Sequence, residues 1–308
     1  MPDNINNNIH IPVLLDEVLE TFKPLNEGLL IDCTLGFGGM SKALLKDHPK
    51  LEIIGIDRDE DALSYNQDIE RLTTIKGNFK EVLPELIKEH GSKIKGVLAD
   101  IGVSSYQLDN IERGFSFKGG VLDMRMDKSQ DLTASYVLNH YSKLELEAIF
   151  RDFGEIREYK KLVSFILEAR EKKAQARMLL DGYDLQEICL KVSPKSKINA
   201  STLAYQALRI EVNSELDNLT TLLESAKELK DSILAIISFH SLEDRLVKQA
   251  FSDFAKSCIC DSNVMKCVCG GDHSLGKVLT KKPLTASAAE LKRNKRSRSA
   301  KLRAFKFD

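Results

Sequence analysis

The chain has no tryptophan, and aromatic residues make up only 6% of its 308 positions. That scarcity excludes a ladder of rings for stacking bases, so any hold on nucleic acid must come from charge and shape. Long apolar runs are missing too. None approaches the ~20 residues that a helix needs to span a bilayer. The opening residues, Met-Pro-Asp-Asn-Ile-Asn-Asn-Asn, have neither the basic nor the apolar region of a secretion signal. A cytoplasmic protein with no membrane partner is expected, and in that reducing compartment the 6 cysteines should not form disulfides. With 43% hydrophobic residues the chain can still bury the core of one large domain or two smaller ones.

The net charge of −1 conceals two opposed regions. Residues 276–308 carry 11 Lys or Arg against Glu290 and Asp308, a net of +9, which leaves −10 for the other 275 residues. A basic tail on an acidic body suits an anionic polymer as partner, because phosphate contacts come mainly from Lys and Arg. The plain alternative is a solvated basic face.

The organising stretch is residues 29–41, Leu-Leu-Ile-Asp-Cys-Thr-Leu-Gly-Phe-Gly-Gly-Met-Ser. A short apolar strand ends at Asp32, glycines follow at Gly36, Gly38 and Gly39, and a helical pattern starts near Ser41. Strand, glycine turn and helix open a βαβ nucleotide-binding unit, where the backbone must turn sharply and lie close to a ligand. The next strand, residues 51–56, runs into Asp57, about 20 residues past the glycines, where a carboxylate can hold both ribose hydroxyls. A third strand near residues 72–76 leads to Phe79, placed to pack on a purine or else an ordinary core residue. A fourth, residues 94–101, carries Asp100 into a polar segment.

Electrostatics selects the cofactor class. Carboxylates at three strand ends, Asp32, Asp57 and Asp100, would repel a pyrophosphate, and Ser41 stands where the third glycine of a dinucleotide fingerprint belongs. A cationic ligand without phosphate fits better, and S-adenosylmethionine has that character. A nicotinamide oxidoreductase is disfavoured on the same grounds.

From residue 131 to about 194 strand signals give way to helical ones, at residues 144–150, 159–173 and 185–192. The pattern predicts an α/β Rossmann-like class I methyltransferase sheet interrupted by an all-helical insertion. The expected parts are residues 1–128, an inserted substrate-recognition domain at 129–200 overhanging the strand ends, and 201–308. One long helix, marked by Leu208, Val212, Leu216, Leu219 and Leu223, should return the chain to the sheet. The apolar fifth strand, residues 233–239, ends at His240, with Ser241 and Asp244 spaced as an N-cap and its partner. Asp123 and Arg125, two apart in a glycine-flanked loop, should point the same way if that loop is extended. Cys258, Cys260, Cys267 and Cys269 form two C-x-C pairs, candidate zinc ligands or, failing that, a reduced buried cluster. Two extended segments in the tail should close the sheet as an antiparallel hairpin.

Taken together, these residues resemble the bacterial 16S ribosomal RNA cytosine-N4 methyltransferases, the RsmH or MraW family. The likeness runs nearly end to end: His10-Ile-Pro-Val-Leu-Leu-Asp-Glu17, the glycine turn, Gly55-Ile-Asp-Arg-Asp59, Asp100-Ile-Gly-Val-Ser-Ser105 and Arg113-Gly-Phe-Ser-Phe117. It continues through Leu122-Asp-Met-Arg-Met126, Gln206-Ala-Leu-Arg-Ile210, Ser238-Phe-His-Ser-Leu-Glu-Asp-Arg245 and Arg296-Ser-Arg-Ser-Ala-Lys-Leu-Arg303. Departures are Met40 in place of a usual His, Ile198-Asn-Ala-Ser-Thr202 in place of Ile-His-Pro-Ala-Thr, and Lys295 in place of a proline.

The resemblance implies methylation of a cytosine at the decoding centre of the small ribosomal subunit, with 16S ribosomal RNA and not DNA as partner. It implies cofactor contacts from Gly38, Gly39, Met40, Asp57, Phe79, Asp100 and Gln107. An aromatic amine is a poor nucleophile, because its lone pair is delocalised into the ring. It needs in-line positioning and an acceptor for its hydrogens, and positioning alone can supply roughly 7–11 kcal/mol. Asp100, Ser104 and His240 are the catalytic candidates, and Ser105, Asp123 and Arg125 the substrate-side ones. The competing readings are a non-catalytic cofactor-binding assembly factor and a methyltransferase acting on another nucleic acid or on protein.

Overall fold

Consecutive apolar residues place the strands. The computed structural model describes residues 12–192, 199–261, 263–264 and 266–308; His10, Ile11 and Ile198 of the motifs above, and the side chains of Asp61 and Ser105, lie outside the described set. Its strands are β1 (Glu27–Asp32), β2 (Lys50–Asp57), β3 (Leu72–Lys76), β4 (Ile94–Asp100), β5 (Ile233–Ser238), β6 (Gly276–Val278) and β7 (Lys301–Phe307). They form one sheet in the order β3-β2-β1-β4-β5-β7-β6. The first five are parallel, and β7 runs antiparallel between β5 and β6. This is the expected methyltransferase-type sheet, closed by the expected tail hairpin.

The chain divides into two compact units, Met1–Gly102 with Asn218–Asp308, and Val103–Asp217. In the sheet unit, successive strand residues feed opposite faces. Ile31 and Val97 join Leu83, Leu222 and Phe251 on one side. Leu30 and Leu98 join Phe22, Leu44 and Leu302 on the other. All six residues of β5 are buried, as a central parallel strand requires. Helices α1 (Leu15–Phe22), α2 (Gly39–Asp47), α3 (Glu60–Ser64) and α4 (Phe79–His90) alternate with the first strands.

The second unit is helical: α5 (Ser105–Asp109), α6 (Ala134–His140), α7 (Lys143–Asp152), α8 (Tyr159–Gln175), α9 (Gly182–Leu190) and α10 (Ala200–Asn213). It extends beyond the expected 129–200 at both ends. Phe115, Leu122, Met124 and Met126 on one side, and Ala204, Leu208 and Val212 on the other, bury themselves in the same core as Val137, Phe150 and Ile166.

The long return helix is in fact two, α10 and α11 (Glu215–Ser225), broken at Ser214, which adopts φ +50°. Buried Asn213 stabilises the break: its Nδ2 donates to the Met124 and Arg209 carbonyls, and its Oδ1 accepts from the Met126 amide. Arg209 then spans the kink to Glu215 through Nε at 2.9 Å and Nη2 at 2.9 Å.

The chain then passes through β5, α12 (Ser241–Phe254), β6, α13 (Ala288–Arg293) and β7. Phe305 and Phe307 of β7 are fully buried against Phe251 and Phe254, with ring centroids 4.9–5.8 Å apart. Of the tail's 11 Lys and Arg, three (Lys301, Arg303 and Lys306) therefore lie on a core strand, and exposed ones sit upstream, among them Lys281, Lys282, Lys292, Arg293, Lys295 and Arg298. Among the described residues no helix is long and apolar enough to cross a membrane.

Candidate active site

Strand order reverses between β1 and β4, and the crevice beyond the carboxyl ends at such a point is where open α/β sheets bind ligands. Asp32 is paired in register with Gly55 of β2 and Leu98 of β4, so Asp57 and Asp100 each reach two residues further past the same edge. Three carboxyl groups thus line one end of three adjacent strands.

Each is held differently. Asp32 is buried, accepting from Ser41 Oγ at 2.6 Å and from the Thr34 amide at 3.2 Å. Burial pushes its carboxyl up to about 6 against those two bonds. Asp57 accepts from the Gly36 amide at 2.7 Å and the Asp59 amide at 2.9 Å. Burial raises its carboxyl as well, over the opposing pull of these amides. Asp100 stands apart. Its amide donates to Thr34 Oγ1 at 2.7 Å, but its carboxyl Oδ1 is enclosed without a partner. Burial, then the charges of Asp32 and Glu243, push that carboxyl up to about 8.

The glycine turn is shaped for close approach. Gly36 and Gly38 have φ of +51° and +74°, and a Cβ at Gly38 would run into the Asn66 side chain. Asn66 is buried and braces the turn from below, donating from Nδ2 to the Gly36 and Ala62 carbonyls at 2.8 Å. Gly39 opens α2, and Met40 is buried in the core beside Leu44, so Met40 offers a ligand its backbone only. Phe79 opens α4 behind Asn78, whose Oδ1 caps it from Lys80 N. With only 7% of its surface exposed, the Phe79 ring belongs mainly to the core beside Ile56 and Leu83.

His240 replaces Ser241 as the N-cap of α12, and Glu243 replaces Asp244 as its partner. The Glu243 carboxylate accepts from the Phe239 amide at 2.8 Å, and its Oε1 lies 3.0 Å from His240 Nε2. Asp244 is instead drawn to β7, by Lys301 at 3.0 Å and Arg303 at 2.7 Å. Glu243 is wholly buried and bears on Asp100, yet nothing in its sequence spacing marked it apart from Asp244. Asn66 likewise sits in an unremarked turn just after α3.

In the helical unit the selected side chains are engaged with one another. Ser104 and Gln107 form a capping box: Ser104 Oγ accepts from Gln107 N at 3.2 Å, and Gln107 Oε1 accepts from Ser104 N at 3.0 Å. Asp123 and Arg125 do meet, although the segment is not extended, because Met124 between them has φ +59°. The pair is bidentate, with Nε at 2.9 Å and Nη2 at 2.8 Å from the two carboxylate oxygens. Arg125 Nη1 also donates to the carbonyls of Lys128 and Gln130. Burial works to raise Asp123, but the bonds and charge of Arg125 prevail and hold it below the usual carboxylate range. An open cavity of about 340 Å³ is lined by Asp123 with Gly120, Leu122, Thr133, Ser135 and Leu180. Ser105 begins α5.

The donor set at the strand ends suits a cationic ligand: a buried Asp32 and partly buried Asp57 and Asp100, one of them with an enclosed unpartnered oxygen, beside a turn that has no room for a side chain at Gly38. A family model described as the MraW methylase family matches residues 7–308. Ribosomal RNA small subunit methyltransferase H of Helicobacter pylori (strain J99 / ATCC 700824) is 52% identical over 305 residues, covering 97% of this chain and 98% of its own. The protein of the same name from Aliarcobacter butzleri (strain RM4018) is 50% identical over 308 residues, covering 97% and 99%. A solved geranyl diphosphate methyltransferase with GPP and sinefungin aligns at 10% identity and TM-score 0.25, over 64% of this chain and 72% of that one.

Proposed function

The chain belongs to the MraW methylase family, and from that premise we propose that it methylates the exocyclic N4 amine of a cytosine in 16S ribosomal RNA, at the decoding centre of the small subunit in the cytoplasm. The observation that carries the reading is Asp100: a carboxyl at the strand-order reversal, pushed up to about 8, with an enclosed oxygen that no protein group satisfies. S-adenosylmethionine, when bound, supplies an electrophilic methyl group on a sulfonium.

The residues that would hold this cofactor are the backbone of Gly38, Gly39 and Met40, the Asp57 carboxylate for the ribose, the edge of Phe79 for the purine, and Asp100. Asp32 fixes the turn through Ser41 and keeps negative potential in the crevice. Positive charge next to Asp100 favours its ionised form, the reverse of what Asp32 and Glu243 do. Ionised Asp100 then accepts a hydrogen of the cytosine amine, which lets the nitrogen lone pair localise for in-line attack. His240 acts on this centre indirectly, by holding Glu243 at the start of α12.

A base in a folded RNA must leave its stack to reach such a crevice, at a cost of a few kcal/mol. Phosphate contacts from Lys292, Arg293, Lys295 and Arg298 would offset that cost. Asp123, Arg125, Ser104 and Ser105 are assigned to the substrate side, the first three as supports of their own loops.

The test is to incubate the protein with labelled S-adenosylmethionine and small subunits from a strain lacking the gene, then digest the RNA and analyse its nucleosides. N4-methylated cytidine at a single position is the expected result. Label on another nucleoside or on protein would remove the proposed target. No label despite cofactor binding would replace the reading with that of an assembly factor.

A further inference from the structure

The chain between α12 and β6, residues 255–275, has no helix or strand among its described residues. Loops longer than about 12–15 residues without internal structure are uncommon in compact domains and usually carry a function of their own. This one buries almost nothing: Ile259 is 63% exposed and Val268 80% exposed. These are the central residues of the two C-x-C pairs. An apolar cluster would have turned both inward. Instead they face solvent, while the four flanking thiols converge.

That convergence has a definite size. Cys258, Cys267 and Cys269 have Sγ atoms 3.6, 3.6 and 3.7 Å apart, and the sulfur of Cys260 completes a group in which all four lie within 4.8 Å of one another. A tetrahedral zinc ion with Zn–S bonds of about 2.3 Å requires S···S edges of about 3.8 Å. A disulfide requires about 2.05 Å, so no pair here is bonded. Cys258 and Cys267 are exposed, which also rules out burial as the reason for the grouping.

The surroundings are those of a ligand site. The Val268 amide donates to Cys260 Sγ at 3.3 Å, an outer bond of the kind that fixes metal-bound sulfur. Gly270 and Gly271 follow the second pair with φ of +93° and +74°, a double left-handed turn that only glycine takes without strain. His273 closes the base of the loop, its amide donating to the Ser257 carbonyl at 3.0 Å and its Nε2 lying 2.8 Å from the Cys269 carbonyl.

We propose that Cys258, Cys260, Cys267 and Cys269 bind one zinc ion as four thiolates, and that this closed site holds the loop between α12 and β6 in shape. Binding displaces four thiol protons, with no change of oxidation state, and leaves the tetrathiolate centre with net charge −2. All four positions are filled by protein, so the ion is structural and has no open position for catalysis.

Elemental analysis of the full chain, purified with a reductant and without chelator, should find one zinc per chain. Cys258→Ser/Cys260→Ser should lower that to near zero, while Cys189→Ala, which changes a buried cysteine in the helical unit, should leave it intact. If the double variant does not fold, titrating the parent protein with an organomercurial should release one zinc per four reacted thiols, read with a metallochromic dye. Cobalt substitution should give the intense visible bands of a tetrahedral tetrathiolate. Absence of stoichiometric metal, zinc retained without these cysteines, iron in its place, or a mass deficit showing disulfides would each overturn the proposal.

Discussion

One acid of the sheet unit and the polar pairs of the helical unit are treated in opposite ways. In the sheet unit, Asp100 ends β4 with one carboxylate oxygen enclosed and unanswered. In the helical unit, Ser104 and Gln107 satisfy each other's backbone, and Asp123 is gripped by Arg125 at two points. Both sets look alike as sequence: polar side chains in motifs, close to glycines. Their chemistry differs because an unsatisfied buried acceptor is a cost that a ligand can relieve, whereas a satisfied pair has little left to offer. The contrast separates groups held ready for a ligand from groups that hold the scaffold.

The largest expected effect falls on the unsatisfied group. Asp100→Asn should lower methyl transfer by about a thousandfold, within the range for loss of a positioned proton acceptor. It should also weaken binding of the cationic cofactor, measured by calorimetry. Stability should change in the opposite direction. The carboxyl titrates near 8 in the folded protein against 3.8 ordinarily, so between these values the folded state holds a proton that the unfolded chain has released. Stability of the ligand-free protein therefore falls as pH rises from about 4 to about 8, with Asp32 adding to the fall up to about 6. Asp100→Asn deletes its share of that loss. The variant should melt at a higher temperature than the parent at pH 8 and at nearly the same temperature at pH 4. An equal melting difference at both pH values would show that Asp100 is not a strained acid and would undo the comparison.

The sheet was legible because its middle strands β1, β2, β4 and β5 are built on short apolar runs, the first three closed by Asp. The three acids followed from it, since strand ends fall on one edge whatever the side chains do. Availability was not legible. Ser241 is the better N-cap by type, yet His240 takes the role, and Glu243 at the third position closes the box. The helical unit outgrew its expected bounds for a related reason. Residues 103–128 carry no helical period, but Phe115, Leu122, Met124 and Met126 bury in its core through irregular backbone that periodicity cannot register. The break at Ser214 lies inside a continuous apolar period and depends on Asn213 reaching Met124 and Met126, far away in sequence.

The tail repeats the contrast on a smaller scale. Lys301 and Arg303 are bound to Asp244, and Lys306 to Asp231, while Lys292, Arg293, Lys295 and Arg298 are exposed. Truncation from residue 292 would remove β7 and with it Phe305 and Phe307, so it cannot test charge alone. Replacing Lys292, Arg293, Lys295 and Arg298 together by Ala keeps the strand. RNA affinity should fall roughly tenfold or more, and the salt dependence should flatten by about 0.7–0.9 per lost phosphate contact. An unchanged salt slope would assign the tail to solvation.

Arg125→Ala tests the satisfied set. The pair is three-quarters shielded and bidentate, so its loss should destabilise the protein by about 1–2 kcal/mol in urea denaturation. Asp123→Ala should cost a similar amount, and the double variant little more than either, since both remove one interaction. Full stability with lost methylation would instead make Arg125 a direct RNA contact.

Ser104→Ala should have the smallest effect, and it divides the two units most sharply. The hydroxyl lies close in sequence to Asp100, which is why it is a catalytic candidate. It already accepts the Gln107 amide at 3.2 Å as the cap of α5. A cap of this kind contributes about 1 kcal/mol to stability, and a hydroxyl that takes part in proton transfer contributes 10²–10⁴ in rate. The two roles therefore differ in kind of readout as well as size. Measured well below the melting temperature, Ser104→Ala should turn over at close to the parental rate, with an unfolding midpoint lowered by the loss of one cap. Ser104→Asp, which preserves an N-cap acceptor but no hydroxyl, should regain the stability. A rate loss of a hundredfold in both variants would place a catalytic group in the helical unit, and the division between ready and committed residues would no longer follow the division of the chain.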